Sequence, residues 1–240
     1  MSEKKILLGL TTTWGSDWRE KIEEIKKFNI KEIALFPTAL NVNERQDLYE
    51  LLQKTKLQTI PHVHLREQDF SSDEISFLIN RYKTKVFNIH AYEYSLDFLK
   101  KTPLYANLIY IENIEEIPEN FENLVKQSGG MCIDLSHYYD FGILQKARGY
   151  DTFLKIADKY KIGCNHISAI KKTIQYLYDA QHYRKIAGYN DHHFDDLSEF
   201  DYLKNIPKKY FSNYISIELE NPFEEQLRVK EYLEKIINNS

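Results

Sequence analysis

Several short apolar runs in this chain end in an acid or an imidazole. The most distinct is Met131-Cys-Ile-Asp-Leu-Ser-His137, where Asp134 closes the run and His137 follows three residues later. Alternate side chains of a β-strand share a face, so Cys132, Asp134 and Ser136 are expected to point the same way. A carboxylate aimed into a sheet is costly unless a metal or another cation pairs with it. Taken alone, Asp134 reads more plainly as a strand's last residue capping the next helix. It does not stand alone. His62 and His64 end the run 58–65, His90 ends 86–90, and Glu112 ends 108–113. His166 falls within 162–170, Asp191-His-His193 follows in a loop, and Glu218 and Glu220 close 214–220. Of eight histidines only His182 lies elsewhere. Imidazoles and carboxylates together suit Zn²⁺, Mn²⁺ or Fe²⁺. Several carboxylates around one axis would repel each other without a cation. The set therefore predicts a metal site. His62 and His192 each sit beside a better-placed neighbour, and Glu220 reads as a rim group.

The elements needed to bring these groups together are legible as strand-then-helix units. Strand-like runs at 6–10, 32–36, 58–65, 86–90, 108–113, 131–134, 162–170 and 214–220 alternate with amphipathic stretches. Helices are expected after Ser16, after Asn43, behind a Ser71–Glu74 capping box, after Ser95, from Pro118, and over about 141–160 with a break near Gly149. A longer insert spans 175–187, and the last helix shows Leu227, Leu233 and Ile237 on its apolar face. Alternating strands and helices imply a parallel sheet. Eight units in 240 residues fit a single-domain, closed (β/α)8 barrel over 1–240. An open doubly wound sheet predicts a glycine-rich phosphate loop after the first strand, and Gly9-Leu-Thr-Thr-Thr-Trp-Gly15 is not one. In such barrels the active site lies at the C-terminal strand ends, where the acids and imidazoles fall.

Composition narrows the class without naming a function. Residues are 42% hydrophobic and 28% charged, with no apolar run long enough to span a bilayer, so no membrane partner is expected. Met1-Ser-Glu-Lys-Lys5 does not read as a secretory signal, and two cysteines fit a reducing cytoplasm better than a disulfide framework. A net charge of −4 gives no general pull towards nucleic acid. Cys132 and Cys164 share parity with Asp134 and His166 and read as small core residues rather than catalytic thiols. Tyr92, Tyr94, Tyr138 and Tyr139 follow strand ends and are read as a substrate platform or as helix packing. Arg66, Lys171 and Lys172 are read as a phosphate grip or as solvated loop charge. No P-loop, nucleophile-elbow serine or CxxC pair is present.

His64, His90, Ile111-Glu-Asn113, Ile133-Asp-Leu-Ser-His137, Asn165-His-Ile167, Asp191-His-His193 and Ser216-Ile-Glu-Leu-Glu220 together resemble the xylose isomerase-like TIM-barrel superfamily. That superfamily joins sugar isomerases and epimerases with endonuclease IV, an apurinic/apyrimidinic endonuclease. The sugar-acting branch implies one divalent ion (Zn²⁺ or Mn²⁺) on Glu112, Asp134, His166 and Glu218. Glu112 and Glu218 would also move a proton next to a carbonyl, and His64, His90 and His137 would contact the sugar. The endonuclease branch implies three zinc ions. His64, His90 and Glu112 would hold one, and Glu112 would bridge to another on Asp134, His166 and Glu218. His137, Asp191 and His193 would hold the third. The chain departs from that branch in two places: Asp196-Leu-Ser-Glu199 replaces the usual Gly-Glu-Gly, and the insert before Asp191 is longer. The expected substrate is a small carbohydrate or sugar phosphate contacted by His62, Arg66, Tyr92, Lys171 and Glu220, with abasic DNA as the alternative. A metal-containing barrel that binds without turnover is a third reading. Homo-oligomerisation is left open.

Overall fold

The computed structural model describes residues 4–13, 16–179 and 184–238. His182 and the pair Trp14-Gly15 lie outside them. One parallel sheet is built from β1 (Lys5–Leu7), β2 (Gly9–Thr11), β3 (Glu32–Phe36), β4 (Thr59–His64), β5 (Val86–His90), β6 (Ile109–Glu112), β7 (Met131–Asp134), β8 (Ile162–Ile167) and β11 (Tyr214–Ile217). Its order is β1-β11-β8-β7-β6-β5-β4-β3-β2, so the two edges of the sheet are consecutive pieces of the same run. They are separated by Leu8 alone. The sheet is thus a nearly closed, barrel-like one with helices around it.

The seam is sealed by two features. Gly9 passes so close to β11 that a Cβ there would lie 1.9 Å from the Ile217 carbonyl oxygen. The fully buried Gln226 amide accepts from Gly9 N at 2.9 Å and donates to the carbonyls of Gly9 and Leu219, each at 3.0 Å. Backbone groups that the strand break would leave unpaired in the interior are satisfied in this way.

Helices α1 (Trp18–Lys27), α2 (Val42–Gln53), α3 (Ser72–Tyr82), α4 (Ser95–Lys101), α5 (Phe121–Lys126), α6 (Leu135–His137), α7 (Tyr150–Ala157) and α8 (Phe223–Asn238) surround the sheet. The Ser71–Glu74 capping box forms as expected, and Gly149, at φ +84°, starts α7. Several boundaries move. Asp17, not Ser16, caps α1. Asn41, not Asn43, caps α2, and Glu44, three residues on, closes a reciprocal box with it. Pro118 lies before α5 and offers its carbonyl to Phe121 N. A π-helical run, Tyr138–Leu144, continues α6. On α8, Leu227 is 37% exposed, while Phe223, Gln226, Val229, Leu233 and Ile237 face inward, the three-four spacing of one helix face.

Strand alternation divides the core in two. Leu35, Val63, Ile89, Ile111, Ile133 and Ile217 belong to the large cluster beneath the helices. Leu7, Ala34 and Phe36, and separately Val86, Tyr110, Cys132 and Cys164, form two smaller clusters on strands of the sheet. The insert is not a loop. After β8, strand β9 (Ala169–Asp179) pairs antiparallel with β10 (Arg184–Asp191) as a separate two-stranded sheet. The buried Asp140 carboxylate fastens it, accepting from Tyr189 N at 2.7 Å and Asn190 N at 2.9 Å. Among the described residues, no helix is long and apolar enough to cross a membrane.

Candidate metal centre

Neighbouring strand ends bring the acids and imidazoles together. In register, His90 of β5 lies opposite Glu112 of β6, and Asp134 of β7 opposite His166 of β8. Ligand atoms of Asp134, His166 and Glu218 lie within 4.8 Å of one another, as do those of His64, His90 and Glu112, and those of Glu112, Asp134 and His137. His64 Nε2 is 2.9 Å from Glu112 Oε2 and 3.3 Å from His90 Nε2. His166 Nδ1 is 3.2 Å from Glu218 Oε2, 3.3 Å from Glu112 Oε1 and 3.9 Å from Asp134 Oδ2.

His166 supplies the test of fit. It is completely buried, and neither ring nitrogen makes a well-formed hydrogen bond, although Nδ1 lies at ion-pair distance from the Glu112 and Glu218 carboxylates. Buried polar groups are nearly always partnered. An unpartnered imidazole among three carboxylates is the donor set that a divalent ion satisfies. The residues present fit such an ion.

The electrostatics describe the same frustration. Burial opposes charge on His166, but the Glu112 and Glu218 carboxylates outweigh it and hold its pKa well above the ordinary 6.5. Burial would raise Glu218, yet His166 brings it down to about 2, and Glu112 is likewise held low by His166 and His64. His137 is raised to about 9, against burial, by Asp134 and then Glu112. His90 falls to about 3 through burial and the neighbouring His64 charge, which leaves it neutral with a lone pair to offer.

Supporting groups orient this set. Asp134 is both a strand end and a cap: its Oδ1 accepts from His137 N at 2.7 Å and Ser136 Oγ at 2.5 Å, leaving Oδ2 towards the histidines. Asn113 clamps the Asp134 backbone at both N–H and C=O. Asn88 donates to Glu112 Oε2. Glu67, buried and raised to about 7 by burial, accepts from His90 N at 2.6 Å and lies 3.7 Å from His90 Nδ1. A carboxylate behind a ligating histidine fixes its tautomer and orientation. Sequence reasoning singled out neither Glu67 nor Asn88, and it quoted Asn113 only within the Ile111-Glu-Asn113 motif, without this role. Asn88 shares strand parity with His90, and that was the available signal.

Other expected residues lie apart. Asp191 and His193 meet each other at 3.8 Å, and His193 is exposed; among the described residues neither joins a ligand group with His137. His193 and Glu220 instead line a cleft of about 280 Å³ beside α1, with Thr11, Trp18 and Lys21. That cleft shares no residue with the buried groups. Glu220 accepts from Thr13 Oγ1. His62 sits deeper, between Ser216 Oγ at 2.6 Å and Asn88 Oδ1 at 2.8 Å. Arg66 donates to the Leu40 carbonyl, and Lys171 pairs with Asp195 and Glu199. Tyr92 packs on His90 with centroids 5.1 Å apart, whereas Tyr138 stacks on Phe153 and Tyr139 packs on Tyr202. No family model matches this chain, and no curated protein does either.

Proposed function

We propose that the chain is a (β/α)8 TIM barrel, with β1 and β2 as one strand interrupted at Leu8, and a divalent-metal-dependent isomerase or epimerase of a sugar. The observation that carries this reading is His166, buried, unpartnered and 3.2–3.9 Å from oxygens of Glu218, Glu112 and Asp134. When bound, a divalent ion would polarise substrate carbonyl and hydroxyl oxygens. Asp134, His166, Glu218 and Glu112 would hold it. Glu112 and Glu218 approach His166 Nδ1 at similar distances, and both are ionised at neutral pH. One would take the proton from the carbon beside the carbonyl and return that proton, or one exchanged with solvent, to the neighbouring carbon, while the other carboxylate stays ionised and helps hold the ion. His64 and His90 orient sugar hydroxyls, with Tyr92 packed behind His90. Lys171 is already paired with Asp195 and Glu199, which favours an unphosphorylated sugar over a sugar phosphate.

The test is solvent exchange. With Mn²⁺ or Zn²⁺ and a panel of aldoses and ketoses in heavy water, deuterium should enter beside the carbonyl of at least one sugar. No incorporation across the panel would count against the reading.

One observation favours the endonuclease IV-like alternative. His64, His90 and Glu112 form a group distinct from Asp134, His166 and Glu218, with Glu112 within 3.3 Å of His166, as a carboxylate bridging two ions requires. The separation of Asp191 and His193 from His137 weighs against a third ion. Cleavage of an abasic-site duplex with three ions per chain would decide for that alternative.

A further inference from the structure

Two thiols and an imidazole converge beneath the carboxylates without any part in the proton transfer above. Cys132 and Cys164 are direct register partners on β7 and β8, and His62 reaches them from β4. All three are completely buried, and their ligand atoms lie within 4.8 Å of one another. We infer that His62, Cys132 and Cys164 form a second, thiolate-rich metal site, one layer below the carboxylate group, for a thiophilic ion such as Zn²⁺ or Cd²⁺.

The hydrogen bonds indicate which His62 nitrogen carries a lone pair. Glu112 accepts from the Asn88 amide nitrogen, so the Asn88 oxygen faces His62 Nε2 and must accept a proton from it. His62 is therefore protonated at Nε2, and its lone pair is at Nδ1, where the Ser216 hydroxyl now donates at 2.6 Å. Rotation of that hydroxyl frees Nδ1 while Asn88 keeps the ring oriented, as a supporting partner does for a metal-bound histidine. The sizes agree. Sulfurs about 2.3 Å from a tetrahedral ion stand about 3.8 Å apart, so atoms within 4.8 Å need close by no more than about 1 Å. Two thiolates and a neutral imidazole are the ligands a soft or borderline ion prefers over Mg²⁺ or Mn²⁺. Cys132 also lies within 4.8 Å of ligand atoms of Glu112 and His166, so the two groups adjoin. The thiolate site does not depend on the sugar reading and stands equally under the endonuclease one.

The test is a Co²⁺ titration of the reduced, metal-stripped, full-length protein, following the thiolate-to-cobalt charge-transfer band in the near ultraviolet. The band should appear in the unaltered protein and persist in Glu218→Gln. It should vanish in Cys132→Ser/Cys164→Ser, with one ion fewer bound per chain. Absence of the band from the unaltered protein would overturn the site, and so would its survival in the double variant. The titration of the unaltered protein is decisive even if the double variant fails to fold.

Discussion

His166 concentrates the physical argument at the scale of a residue. Leaving a buried polar group unsatisfied costs about 1–3 kcal/mol, and Nε2 of this ring is such a group, while Nδ1 is held only by the nearby carboxylates. Replacing its carboxylate neighbour in Glu218→Gln should abolish turnover and, by removing a buried ion-pair partner of His166, lower the melting temperature of the metal-stripped protein while it still folds; retained activity would remove Glu218 from the shuttle. The titrations have definite signs. In metal-stripped protein, NMR should show His137 titrating near 9 and His90 near 3. The Asp134–His137 pairing then stabilises the fold fully below about pH 6.5 and is lost as the pH rises through about 9. The Glu218 contribution is present above about pH 4.5 and is lost as the pH falls towards 2. A normal His137 pKa would contradict this geometry. Parity along the strands made His64, His90, Asp134 and His166 legible in the sequence. Glu67 was not, because it lies past the end of β4, where no periodicity marks which side chains turn inward.

Among the elements, the β9–β10 hairpin is fastened to the π-helical run chiefly through one buried carboxylate, Asp140, with Gln145 beside it on the Ala187 carbonyl. Asp140→Ala removes the acceptor for two backbone N–H groups, which at about 1–3 kcal/mol per unsatisfied group should free the hairpin. Hydrogen exchange of Tyr189 and Asn190 amides should then accelerate at least tenfold while the β6–β8 amides stay protected. Unchanged protection would show that the hairpin is held elsewhere. Residues 169–179 carried strand-like alternation (Ile170, Ile174, Tyr176), but the absence of a tight-turn signal left them reading as an insert. The break at Leu8 was also hidden: a five-residue apolar run reads as one strand, and only the need to pair with both β3 and β11 divides it. Gly9→Ala should therefore destabilise the fold, since the new methyl meets the Ile217 carbonyl in a seam that cannot open cheaply. A melting temperature equal to that of the unaltered protein would sink this reading of the closure.

Across the whole molecule, a nearly closed sheet confines a cluster of charge. The runs that make the parallel sheet needed only an ordinary pattern to be recognised, apart from the break at Leu8, whereas β9 and β10 went unread. What the sequence could not show was how far inward each group reaches. Asp191 and His193 read as loop residues that could join His137, yet they sit on and beside the hairpin strand β10 and, among the described residues, share no ligand group with it. An ion that binds only the folded chain at one hundred times its dissociation constant stabilises it by about 2.7 kcal/mol, a rise of roughly 5–10 °C for a chain of this size. The most direct measurement is metal content: the purified chain, reconstituted with Zn²⁺ or Mn²⁺ and dialysed against metal-free buffer, is assayed by elemental analysis. At least one tightly held ion per chain is predicted, with its retention lost in an Asp134→Asn/His166→Ala variant. A folded chain that retains none would contradict the account.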